Sequence, residues 1–133
     1  MKIATTVSRF ILGLGFVVFG ANLLHPFLPQ PPIPAGSLPA QFMAVMWPTH
    51  WMTLVGIFEF LGGAFLLFGG TAPIGLSLLG PVLVNILTFH ILLMGGAGIA
   101  PGAVFSVLEL FLLYSYRGYF APIFTLSAAP TSE

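Results

Sequence analysis

Cysteine is absent from the chain, so it can build no disulfide, thiolate metal site or cysteine-ligated iron–sulfur cluster. A redox role therefore needs a bound cofactor or another subunit. Charge is nearly as scarce. Three Lys and Arg and three Asp and Glu among 133 residues leave no basic stripe on which nucleic acid could dock. At 5% charged residues there are too few polar side chains to cover a water-soluble globule of this size. No A-x-A-like site follows the apolar N-terminal run, which reads as a retained first helix and not as a cleaved signal peptide.

What is present is apolar length. The sequence is 58% hydrophobic, and its runs predict an all-α integral membrane protein, a four-helix bundle forming one domain over residues 1–120. The expected spans are 6–24, 51–69, 74–94 and 102–119, with Pro81 interrupting the third. Residues 26–48 carry seven prolines and no charge, and read as an outer loop of polyproline character whose aromatic second half lies at the membrane interface. Such a loop serves as a lid, a docking surface or a plain connector. Residues 121–133 read as a mobile tail. Lys2 and Arg9 precede or open the first helix and Arg117 closes the fourth, which places both termini in the cytoplasm by the positive-inside rule. Arg9 is positioned to snorkel to the headgroups.

The run LVGIFEFLGGAFLLFGG, residues 54–70, holds one acid, Glu59, near its middle. Helical spacing puts Glu59 on one face with Gly56, Gly62, Gly63 and Leu66. Small residues let neighbouring helices approach, and a carboxyl facing lipid is costly, so this face is expected to point into the bundle. Gly13 and Gly20 mark a second close-packing face on the first helix. Counting inward at about 1.5 Å per residue, Glu59 and Glu109 share a depth about 10 to 12 Å below the outer surface. His90 comes out about 6 Å deep and Asn85 about 13 Å deep, but they are about 140° apart round the helix and cannot both face one narrow cavity. His25 and His50 fall at the rim.

Polar groups thus gather in the outer half, as a pocket opening outward requires. A Glu–Glu–His cluster there suits a divalent metal, a proton relay or a polar headgroup, and two neighbouring carboxyls tend to share a proton. Intramembrane acids can also serve only as hydrogen-bonded locks between helices.

The elements Arg9-x-x-x-Gly13-x-x-Phe16-x-x-x-Gly20, Gly56-x-x-Glu59-x-x-Gly62-Gly63-x-x-Leu66 and Phe89-His90 resemble the DoxX-like family of small four-helix bacterial membrane proteins, over most of residues 6–120. The resemblance implies a multi-pass protein of the bacterial inner membrane, associated with redox systems, since the family is named after a subunit of a thiosulfate:quinone oxidoreductase. It implies no activity of its own. The reading that follows is a non-catalytic accessory subunit or binder of a small amphipathic ligand such as a quinone. Glu59, Glu109 and His90 would meet the headgroup, with Asn85 a further ligand-binding or proton-sharing candidate and Phe58, Phe60, Phe89 and Phe105 as walls, beside a redox partner or a second copy of the chain. The alternatives are an assembly subunit held by its glycine faces and, second, a small transporter or proton relay.

Overall fold

The computed structural model describes residues 1–131, and these form helices without any strand. Helix α1 covers Lys2–Leu24, starting earlier than expected because Thr5 closes a first turn through both its N–H and its hydroxyl onto the Met1 carbonyl. It stops where His25 turns extended ahead of Pro26, a residue that disfavours helix before it.

The proline-rich stretch is not wholly loop. Helix α2 occupies Leu38–Met46, with Ser37 as N-cap accepting from the Ala40 N–H. Its only internal proline, Pro39, sits in the first turn, where a missing N–H removes no helical bond. The residues after it, AQFMAVM, contain no breaker, so the run of prolines upstream hid a helix that local propensity permits. His50, at a positive φ of 60°, turns the chain into α3, Trp51–Leu67, which runs at 84° to α2.

A short 3₁₀ turn, Gly69–Thr71, is pinned by the Thr71 hydroxyl donating to the Phe65 and Phe68 carbonyls. Helix α4, Ala72–Thr88, passes through Pro81 and then widens into a π-helix, Phe89–Leu93. Three left-handed glycines, Gly95, Gly96 and Gly98, make the next turn. Helix α5 is Ala100–Ser115, and the short helix α6, Arg117–Phe120, leads into a 3₁₀ turn at Ala121–Phe124. The segment expected to be a mobile tail therefore begins with ordered turns, and its last two residues, 132 and 133, lie outside the described residues.

Packing closes a ring: α1 lies on α3, α3 on α4, α4 on α5, and α5 back on α1. Leu12, Phe16, Leu66, Leu76, Leu79 and Leu112 fill its centre. Most of these lie towards the end that holds both chain termini, here the terminal end; the opposite end, with α2 and the 95–99 turn, is the loop end. The ring's exterior is apolar as well, with Phe10, Leu14, Ile57, Leu61, Val84, Val107 and Leu110 all exposed. Two helices, Lys2–Leu24 and Gly69–Leu93, are long and apolar enough to cross a membrane, and there are three if the bent pair of α2 and α3 counts as one span. An apolar interior inside an apolar exterior is the make-up of a membrane protein.

Candidate functional site

The α1–α3 seam brings backbones into contact. A Cβ on Gly20 would stand 2.5 Å from the Phe60 nitrogen and 2.8 Å from the Gly56 carbonyl oxygen. One on Gly63 would stand 2.6 Å from the Gly13 carbonyl oxygen. Gly13 and Gly20 thus interlock with Gly63 and Gly56 in antiparallel register, an approach that any larger side chain would prevent. On the adjoining side Gly62 accommodates Leu79 of α4, and Gly75 lies against the Gly62 carbonyl and Leu66. The buried residues of α3 are Gly56, Glu59, Gly62, Gly63 and Leu66, so the glycines that admit the two neighbouring helices also carry the acid inward.

Glu59 is 4% exposed and Glu109 is 3% exposed. Their levels follow from the register. With Gly62 against Leu79, Glu59 one turn back comes level with Val82, while a Cβ on Gly80 would lie 3.8 Å from Oε1 of Glu109. On α4 the two acids are therefore two residues apart, about 3 Å. On α1, Gly20 opposite Gly56 and Gly13 opposite Gly63 set Glu59 level with Val17. Gly15 under the Phe105 ring sets Glu109 level with Ile11, about 9 Å further towards the terminal end. Since α3 and α5 stand at opposite corners of the ring, the two acids lie on facing helices, offset by about 3 to 9 Å along its axis.

Oε2 of Glu59 and both carboxyl oxygens of Glu109 are fully buried and have no hydrogen-bond partner in the protein. The chain's cations are engaged elsewhere. Arg9, expected to snorkel, instead donates from Nη1 to the Leu66 and Leu67 carbonyls at 2.9 and 3.1 Å, because the C-terminus of α3 ends beside it with unpaired acceptors and a partial negative charge. Arg117 donates to the Tyr114 carbonyl and lies 4.4 Å from that residue's ring.

No family model, known protein or solved structure matches the chain.

His90 and Asn85 stand apart from the acids. Asn85 is exposed on α4, its amide donating back to the Pro81 carbonyl, as a polar side chain on an outer helix face does when only its own backbone is in reach. His90 sits in the π-helix eight residues beyond Val82, about 12 Å towards the loop end. Its Nδ1 is 2.9 Å from the Ile86 carbonyl, which requires a proton on Nδ1, and Nε2 faces Gly98. Among the described residues no three His, Asp or Glu side chains converge as a metal site needs, so a Glu–Glu–His metal cluster does not form. Of the expected walls, Phe58 and Phe60 are exposed on the outside of α3, Phe89 packs on Phe42 of α2, and Phe105 alone lies in the ring near Glu109.

Two open surface hollows lie away from the acids, at the terminal end. One is against Lys2, Ile3, Thr6 and Val7, the other against Leu113, Arg117, Phe120 and Phe124. Sequence reasoning missed Asn22, which is 5% exposed and accepts from the Phe27 and Leu28 N–H groups at 2.9 and 2.8 Å. It holds the chain reversal after α1. Its signal was available: an Asn four residues before a helix-ending proline is suited to gather the N–H groups that the turn leaves free.

Proposed function

We propose that the chain is a DoxX-like four-span bundle of the bacterial inner membrane with both termini cytoplasmic, acting as an accessory or ligand-binding subunit. Glu59 and Glu109 hold the polar head of a small amphipathic molecule such as a quinone, beside a redox partner. Helices α3 and α5 are short for full spans, at 17 and 16 residues or about 25 Å each, and α2 and α6 complete them at the two interfaces. With the loop end outward, the bend of 84° turns α2 towards the membrane plane beside the Phe89–Leu93 π-helix, where Phe42 meets Phe89 at 5.5 Å.

One observation carries the reading: three buried carboxyl oxygens lack any protein partner. Each such group costs about 1 to 3 kcal/mol when left unmatched, more if charged. A carboxyl serving only as an interhelical lock gains its stabilisation from hydrogen bonds to the neighbouring helix, and neither acid makes one. A transport role needs a polar path to the terminal end as well, and there Leu12, Leu66, Leu76, Leu79 and Leu112 fill the centre, with Ser8 the one buried polar side chain beyond the acids among the described residues.

The test is binding of a short-chain quinone analogue to the detergent-solubilised full chain by titration calorimetry. Glu59→Gln and Glu109→Gln keep size and most hydrogen-bonding capacity but remove the acid, and each is expected to weaken binding by about tenfold while leaving helix content unchanged. Unaltered affinity in both variants would remove the carboxyls from the site.

A further inference from the structure

The two seams of α1 are built differently. Towards α3 it is glycine against backbone; towards α5 it is aromatic. Phe105 packs in tilted contact with Phe16 at 5.2 Å and with Phe19 at 5.8 Å, and its ring lies over Gly15, whose missing side chain gives it room. Phe105 is one helical turn before Glu109, so ring and carboxyl project from the same side of α5. The cluster also runs inward from the bilayer side: Phe19 is 39% exposed, Phe105 half-buried and Phe16 1% exposed.

We propose that Glu59 and Glu109, with the rings of Phe16, Phe19 and Phe105, bind a lipophilic cation that enters from the bilayer between α1 and α5. This rests on the reading of the carboxyl pair as a ligand site and names the charge of the ligand and its route. Two acids are buried in an apolar ring, and no cation of the protein reaches them. Arg9 caps α3, Arg117 is held at Tyr114, Lys2 is exposed at the start of α1, and His90 lies about 12 Å away with Nδ1 occupied. A positive headgroup supplies the missing charge in a medium where the attraction is little screened. Aromatic faces attract the same charge, and aromatic walls suit its apolar body. The glycine seam offers no such opening, because its helices touch through their backbones.

The probe is tetraphenylphosphonium, titrated into the detergent-solubilised full chain. Saturable binding is expected, weakened about tenfold or more in the double variant Glu59→Gln/Glu109→Gln. Phe19→Ala, which changes a bilayer-facing side chain and so spares the fold, is expected to weaken it by about 3-fold to 30-fold. If the double variant does not fold, Phe19→Ala and competition by neutral triphenylphosphine oxide still decide, since a site selective for charge resists displacement by a neutral molecule of like shape. Equal affinity in wild type and both variants, or no saturable binding, overturns the proposal. Carboxyl-dependent binding of the quinone analogue without any of the cation overturns it too, but leaves the ligand-site reading intact. Failure of both probes removes both.

Discussion

Gly20→Ala tests the α1–α3 seam with a single carbon. The added methyl would meet three backbone atoms, the Phe60 nitrogen at 2.5 Å, the Gly56 oxygen at 2.8 Å and the Phe60 Cα at 2.9 Å. Ordinary contacts of this kind are about 3.5 to 4.0 Å, so each is short by about 1 Å. None of these atoms is the end of a flexible side chain, so relief requires the helices to part, which loosens the Gly13–Gly63 contact one register further along. Overpacking of this sort costs about 1 to 3 kcal/mol, and rigid neighbours place this case near the top of the range. Alanine returns about 1 kcal/mol through its better helix propensity. The net expectation is a loss of about 2 kcal/mol. Gly118→Ala is the control, because nothing lies within 4 Å of its Cβ position and only the propensity gain applies. Unfolding titrated with dodecyl sulfate in mixed micelles and followed by far-UV circular dichroism reads both. A Gly20→Ala protein as stable as the wild type would refute the close approach of α1 and α3.

Gly62→Leu is expected to destabilise more than Gly69→Leu in the same assay, since a Cβ on Gly62 would stand 2.6 Å from Leu79 Cγ whereas one on Gly69 would stand 3.1 Å from the movable end of Arg9. Asn22→Ala strands the Phe27 and Leu28 N–H groups and should cost about 1 to 3 kcal/mol, with faster amide exchange confined to residues 25–29. For topology, the cysteine-free chain takes Gln30→Cys or Ser127→Cys, both exposed and neither a helix cap. An impermeant thiol reagent should label only Gln30→Cys in intact cells, and labelling of Ser127→Cys alone would invert the orientation.

Helical class and apolar spans were legible because composition leaves little else: a chain this poor in charge cannot solvate a surface. The face shared by Glu59, Gly56, Gly62, Gly63 and Leu66 follows from 3.6-residue periodicity alone, which is local and survives any tertiary arrangement. What depended on neighbours was harder to read. Depth counting placed His90 and Asn85 with the acids, but depth says nothing of azimuth, and Asn85 turns outward. The π-helix around His90 and the partner of Arg9 are likewise set by elements distant in sequence, in Arg9's case the end of α3. Helix α2 was masked by counting prolines without asking where in a helix each would fall; Pro39 falls where proline is harmless.

The glycine seam and the acid belong to one device. A carboxyl buried in a bundle of ordinary interhelical spacing can be matched by a polar side chain on the helix opposite, but glycine has no side chain to offer. Gly13 and Gly20 across one seam, and Gly75 across the other, allow close approach while presenting only backbone groups already bonded within their own helices. The same sequence choice that draws α1, α3 and α4 together therefore leaves Glu59 without a protein partner, and Gly80 beside Glu109 does likewise. The glycine seams α1–α3 and α3–α4 are closed by backbone contact, and the aromatic seam between α1 and α5 lies away from both. Substitutions on the glycine seam should thus change stability first, and substitutions at Phe19 or Phe105 should change binding first. A Phe19→Ala protein that lost stability as Gly20→Ala does, with ligand affinity unmoved, would show that the two seams of α1 do the same work.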